Sequence, residues 1–469
     1  MSRYFILIDP IVYCVLNFHR IDVNRHIKRM EKESPMKQDN YDAVVIGSGI
    51  GGLSAVAFLV DSGYRTLVVE RLPRVGGRYS TIEHKGYKIT TGAIEVELGG
   101  VVEKAFNAVG AKLDVRPVPP IRYRVDGKDH ELPAKGGMRT LISLACRNEG
   151  EAEPVMRALK RGLTWQEPWD GISLREWLLQ YTENERVLKT FWALVSPTHF
   201  VNDDELPAGK FFEYLKAPKG YGIGIAPLGN LALMESLAKA IEAKGGQVWT
   251  RCNAKQIVVA DGAAKGVIIQ RGDEVIEVAA KAVVSNSGPQ KTVALAGSQN
   301  FGQGYLKQLR ETVRPAPFIG MHIASDEPLV DCSSLIFILG QRLSVMNSPT
   351  LLCPEHAPEG RHLLMAGGTP LSSLPPYDLK KDKELMIQDL RENIPGFDKR
   401  AEVLVASYFR GECPGYHSWP GYDMPQKTSI ENLYDVGDGV KPPGWIGLGA
   451  CARSAEIVVE DIKGRVRQE

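Results

Sequence analysis

Gly47, Gly49 and Gly52 stand at the spacing G-x-G-x-x-G within "YDAVVIGSGIGGLSAVAFLVDSGYRTLVVE", residues Tyr41 to Glu70. At that spacing the first glycine allows a tight turn, the second lets backbone N–H groups approach a pyrophosphate, and the third lets the next helix pack close to a strand. Gly51 is a further position without a Cβ. A helix that opens here turns unpaired N–H groups and a positive dipole end toward phosphate oxygens. Glu70 closes the stretch: a carboxylate there accepts hydrogen bonds from an adenosine ribose and repels a 2′-phosphate, which disfavours NADP. Arg71, beside it, joins the candidate binding residues. The chemistry implied is the holding of a dinucleotide, with NAD and FAD both open.

The elements that must position these residues are legible in the same stretch. "YDAVVIG" is a short apolar run of the kind that forms a fully buried parallel strand. "GLSAVAFLVDSG" reads as a helix that stops at Gly63, and "RTLVVE" as a second strand. With 469 residues and 43% hydrophobic side chains, the chain can bury a large core and divide into two domains. Lys plus Arg (57) nearly balances Asp plus Glu (56), so no overall field points to nucleic acid. The seven cysteines are scattered without a CxxC pair, which predicts free thiols in a reducing, cytoplasmic compartment and no metal centre. The apolar run "YFILIDPIVYCVLNF" holds Asp9 and Pro10 and is too short to span a bilayer. Residues 1–35 therefore read as an extension outside the fold, with peripheral membrane contact left open.

"RLPRVGGRYST" follows Glu70 directly; Gly76 and Gly77 permit close backbone approach and Arg78 can neutralise a phosphate. With this combination the chain resembles the FAD superfamily that includes amine oxidases, protoporphyrinogen oxidase and the bacterial-type phytoene (carotenoid) desaturases. Two remote stretches extend the resemblance. In "GYGIGIAPLGNLALMESLAKAIEAKGG" an amphipathic helix is expected from about Leu228 to Lys244, with Asn230 where the family has a second glycine, followed by strands ending at "AVVSNSG". In "ENLYDVGDGVKPPGWIGLGACARSAEIVVEDI" a strand leads to Gly437 and Asp438, and a glycine-opened helix follows.

What the resemblance implies is an α/β fold: an FAD-binding Rossmann-like domain of the glutathione reductase type, with a parallel sheet, plus an α+β substrate domain. Residues 36–110, 220–290 and 425–469 would form the first, and 111–219 with 291–424 the second. FAD would be bound non-covalently, with Ala254 against the adenine and Asp438 on the ribityl chain. Trp445 and Ile446 would lie beside the flavin, with Gly47, Gly49, Gly51, Gly52, Glu70, Arg71, Gly77, Arg78 and Gly437 completing the cradle. A helix dipole end at the pyrimidine edge favours the reduced, anionic ring.

The substrate side is read from aromatic content. Trp445 and "GYHSWPGY", with Tyr416, His417, Trp419 and Tyr422, could wall a hydrophobic substrate. Tyr416, His417 and Trp445 are the candidate catalytic residues; Glu95, Glu97 and His322 are further proton-acceptor candidates. Carbon oxidation by a flavin needs a donor about 3–3.5 Å from N5 and an exit for a second hydrogen, with no dedicated nucleophile. "SLREWL" and "APEGRHLL" are phrases of the desaturase branch. The expected function is therefore oxidation of CH–CH to C=C in a hydrophobic, isoprenoid-like small molecule, with the electron acceptor unassigned. An amine oxidase is the first alternative, although the run "FIGMHIA" lacks the lysine such enzymes place near N5. A non-catalytic escort of prenylated proteins is the second, and the intact glycine turn argues against it.

Overall fold

The computed structural model describes residues 36–133, 136–146, 148–164, 169–218 and 220–468. The expected extension over 1–35 lies outside the described residues. Strand β1 (Met36–Ile46), helix α1 (Ile50–Asp61) and strand β2 (Thr66–Val69) follow the expected order. β1 alternates with period 2 over its last four residues: Ala43 and Val45 enter one core, Val44 and Ile46 the other, so the strand is covered on both faces. α1 ends as anticipated, at Ser62 followed by Gly63 with φ +84°.

α2 (Asn230–Ala243) leads to β3 (Gln247–Trp249), which takes the sheet edge beside β2. β4 (Cys252–Ala260), β5 (Ala263–Arg271) and β6 (Glu274–Ser285) form an antiparallel meander whose last strand turns parallel to β1. The far end of β6 pairs in parallel with β7 (Leu433–Asp435), the strand that delivers Gly437 and Asp438. α3 (Gly447–Arg465) then runs back across the sheet. α1, α2, α3 and the helix Val101–Ala108 cover one face, and the meander with two further helices covers the other. Leu53 and Leu59 of α1 are fully buried; each such side chain contributes about 1.5–3 kcal/mol by leaving water.

The domain boundaries expected from sequence need two corrections. Helices Pro289–Ala296 and Gln303–Thr312 bury Val293, Leu295, Tyr305 and Leu309 with Ile46, Leu67 and Val283, so they extend the cofactor domain past residue 290. The hairpin of Thr81–His84 with Tyr87–Thr90 does the reverse. Its Tyr87 and Ile89 pack on Ala324, Leu363 and Val405, in the substrate domain. Both shifts follow from which apolar face each element finds.

That second domain holds a seven-stranded, mostly antiparallel sheet, with Phe318–Ser325 between Ala401–Phe409 and His362–Gly368. Beside it lies a helical cluster around Trp177, Phe191 and Phe211. Ser173 caps the helix Leu174–Leu179 in a reciprocal box with Glu176. His322 fixes the Thr81–Thr90 hairpin to this sheet: it is buried, and its Nε2 accepts from the Thr90 backbone N–H at 3.2 Å. Burial pushes its pKa down to about 4, so it is a neutral joint. Among the described residues no helix is long and apolar enough to cross a membrane.

The third glycine of the turn gives a direct test. A Cβ on Gly52 would stand 2.0 Å from the Gly47 carbonyl oxygen, so α1 would have to move off the strand. Gly52→Ala is expected to cost about 1–3 kcal/mol, the usual cost of an extra methyl in a filled space, read from urea unfolding midpoints.

Candidate cofactor and active site

Glu70 lies just beyond β2 and is 5% exposed. Its Oε2 accepts from the Ser48 backbone N–H at 2.9 Å and from Ser48 Oγ at 2.8 Å, and its Oε1 from Leu72 N–H at 2.9 Å. The second strand's terminal acid is thus bonded to the second residue of the glycine turn. Cys252 N–H donates to the Glu70 carbonyl at 2.8 Å, which carries Ala254, two residues on, to the Glu70–Leu72 corner expected to meet the adenine. Arg71 is exposed at that corner.

The glycine turn and the C-terminal stretch come within backbone contact. A Cβ on Gly51 would stand 3.1 Å from the backbone nitrogen of Gly437, and one on Gly77 would stand 3.4 Å from the Cα of Gly49. α1 opens at Gly49 with no side-chain cap. Asn286, at the end of β6, fills the remaining space: with its amide oxygen toward the turn it accepts from Gly49 and Gly52 N–H at 3.3 Å. Asn286 was not singled out from sequence. The signal was there in "AVVSNSG", a polar residue directly after a buried parallel strand, where ligand crevices form.

Arg78 departs from its expected role. Its Nη1 donates to the carbonyls of Pro414 (2.7 Å) and Gly415 (2.9 Å), and its Nη2 pairs with Asp438 at 2.8 Å. The guanidinium therefore neutralises a carboxylate in place of a phosphate, and ties the first stretch to two later ones. His417 belongs to this group as well: its Nδ1 lies 2.6 Å from Asp438 Oδ1, which places it among the cofactor-side residues rather than on a substrate wall. Burial alone would raise the Asp438 pKa; Arg78 and His417 overcome it and hold the carboxyl well below its ordinary range. Lys441, fully buried, donates to the Asp438 carbonyl (2.6 Å), the Ser418 carbonyl (2.7 Å) and Asp423 (2.8 Å).

The aromatic residues sort into two kinds. Tyr416 is a pillar: its hydroxyl donates to the Thr198 carbonyl at 2.9 Å and accepts from the Gly447 N–H, first residue of α3, at 3.1 Å. Burial raises its phenol far above the ordinary range. Trp419 is buried in the helical core, edge-on to Tyr422 at 5.7 Å, and faces no cleft. Trp445 and Ile446 precede α3, half-buried, and border a narrow cavity with His199, Tyr214 and Lys210.

Phe200, unremarked in the sequence, stacks on Tyr416 with ring centroids 4.4 Å apart and lies 4.5 Å from Phe318. It holds the left-handed conformation, φ 59°, at the end of helix Glu185–His199, a region that bulky residues rarely enter. Phe200 and Phe318 both remain half-buried where the helical cluster meets the substrate sheet.

A strand, glycine turn and helix closed by a buried acid, with a second helix N-terminus beyond a buried aspartate, are the arrangement of a dinucleotide-dependent oxidoreductase. The comparisons agree. Residues 45–102 match the NAD(P)-binding Rossmann-like domain family. The 15-cis-phytoene desaturase of Capsicum annuum is 21% identical, over 97% of this chain and 84% of that protein. The prolycopene isomerase of Daucus carota is 25% identical, over 90% and 80%. The solved structure of an oxidoreductase from Methanosarcina mazei is 27% identical, with TM-score 0.79, over 91% of this chain and all of that one. The chain is an oxidoreductase similar over most of its length to phytoene desaturases and a prolycopene isomerase.

Asp438→Asn leaves Arg78 without its counter-charge. It is expected to lose about 1.5–3 kcal/mol of stability near neutral pH, the contribution of a charge-assisted hydrogen bond. Because the folded-state pKa is depressed, wild-type stability from this group is present above the ordinary aspartate pKa and falls as the solution is acidified below it. The variant's unfolding midpoint should change less over that acid range.

Proposed function

We propose that the cofactor is FAD, bound without a covalent link, and that the reaction is conversion of CH–CH to C=C in a hydrophobic, isoprenoid-like molecule. The observation that carries this reading is the backbone contact of Gly51, in the first turn of α1, with Gly437, on the stretch that leads into α3, two helices whose N-cap residues use no side chain of their own as a cap. One end suits a diphosphate and the other the electron-rich edge of a reduced ring, and FAD carries both at its two ends. The residues fit such a group: the turn lacks every Cβ that would block it, and Glu70 is positioned for the adenosine.

Bound FAD supplies an acceptor for a hydride from carbon. The chain's own part is positioning and exclusion of water. Gly49, Gly51 and Gly52 let the backbone approach, Glu70 orients the adenosine, and Asp438, set by Arg78, His417 and Lys441, presents a carboxylate to the ribityl hydroxyls. Phe200, Phe318 and Trp445 offer apolar surface for the substrate. The strand Phe318–Ser325 carries no lysine, which weighs against an amine substrate. The likeness to a prolycopene isomerase favours a second reading, in which the same site changes double-bond geometry without net oxidation.

The test is spectral. The purified full chain should be yellow, and acid precipitation should release the colour as FAD into the supernatant. Anaerobic incubation with long polyisoprenes should bleach the flavin if the substrate is desaturated, and change isomer composition without bleaching if it is isomerised; amines should do neither. A colourless protein that takes up no added FAD overturns the proposal.

A further inference from the structure

Glu95 opens the short strand Glu95–Leu98, which pairs with Gly222–Ile225. Its side chains alternate. Val96 and Leu98 enter the core beneath α1, α2 and α3, so Glu95 and Glu97 take the other face. Glu97 shows where that face looks: its Oε1 accepts from Gly220 N–H at 2.6 Å, and its Oε2 lies 2.8 Å from where a Cβ on Gly449 would stand, in the first turn of α3. Glu95 sits two residues closer to the Gly76–Arg78 turn.

Its carboxyl is not spent on structure. Glu95 Oε1 is buried without a hydrogen-bond partner, and the hydroxyl of Tyr79, the residue after Arg78, is in the same condition. The two lie within reach of each other's field: burial is the larger cause of Tyr79's raised phenol pKa, and the Glu95 carboxylate adds to it. Burial pushes Glu95 itself up to about 7, against the pull of its own backbone N–H. The other charged groups nearby are committed elsewhere, Arg78 to Asp438 and the Pro414 and Gly415 carbonyls, and Glu97 to Gly220. A buried carboxyl oxygen and a buried phenol left without hydrogen-bond partners cost stability, and such groups mark places that a ligand or a reacting atom can complete.

We propose that Glu95, backed by Tyr79, is the group that exchanges the proton of the reaction between the Gly76–Arg78 turn and α3. The assignment rests on the flavin reading above. A C–H bond gives up its hydrogen and electron pair as hydride to oxidised FAD. The adjacent C–H bond breaks the other way: its hydrogen leaves as a proton to the Glu95 carboxylate, and its electron pair becomes the second bond of C=C. Reduced flavin and neutral Glu95 result, and Tyr79 holds the carboxyl in an environment where both protonation states are reachable near neutral pH.

The raised pKa also has a sign in stability. A carboxyl whose folded-state pKa lies above its unfolded value stabilises the fold fully at acid pH, and that contribution is lost as pH rises through about 7. Infrared difference spectra of the FAD-loaded full chain, recorded from about pH 5 to about pH 9, read the group directly. A protonated-carboxyl band should disappear with a midpoint near neutrality, shift its midpoint in Tyr79→Phe and Glu95→Asp, and be missing in Glu95→Gln. The glutamine variant should also unfold at a higher temperature than wild type at the alkaline end and at an equal one at the acid end. A wild-type chain with no such band, or a band that survives in Glu95→Gln, overturns the assignment. Failure to load FAD would instead overturn the cofactor reading; a loaded chain without the titration removes Glu95 alone.

Discussion

One guanidinium holds remote parts of this molecule together. Arg78 reaches from the turn after β2 to the carbonyls of Pro414 and Gly415 and to the carboxylate of Asp438, and so ties that turn to two stretches more than three hundred positions away. Without that cation, Asp438 would be a buried charge with a histidine and no full counter-ion, a costly arrangement in a low-dielectric interior. With it, the carboxylate stays ionised and its position is fixed. Lys441 repeats the device one turn later, tying the Asp438 carbonyl to the loop that carries Ser418 and Asp423.

Around this knot the fold brings together two helix N-termini that no local interaction would pair. β1 sets α1 beside the cleft; β6, by pairing with β1 along one edge and β7 along another, sets α3 opposite it. The hydroxyl of Tyr416 then fixes the first N–H of α3 to the end of a substrate-domain helix. The start of α3 and the end of that helix are therefore held by one shared pair of hydrogen bonds. The left-handed Phe200, stacked on Tyr416, is the local cost of that coupling.

The sequence made the cofactor half of this legible because its rules are local. Glycine spacing, a buried apolar run and a terminal acid at Glu70 each follow from backbone geometry within thirty residues, and the strand, turn and helix stand where those rules put them. The contact of Gly51 with Gly437 follows from β-sheet order, which the resemblance carried. The rest depended on long-range packing. Whether Arg78 meets a phosphate or a carboxylate, whether Trp419 faces a cleft or a helical core, and which domain claims the hairpin at Thr81–Thr90 are all decided by surfaces that meet only in three dimensions. Asn286 and Phe200 escaped notice for the same reason: an asparagine after a strand and a phenylalanine after a helix carry little local signal.

The central claim is that residues near 47–53, 70–78 and 437–450 form a single FAD cradle. Amide hydrogen exchange of the full chain with and without FAD tests it most directly. The account predicts that all three segments slow together on addition of FAD, with the strand around Ala254 following. Slowing confined to the first segment would mean a dinucleotide held by the glycine turn alone, and would contradict it.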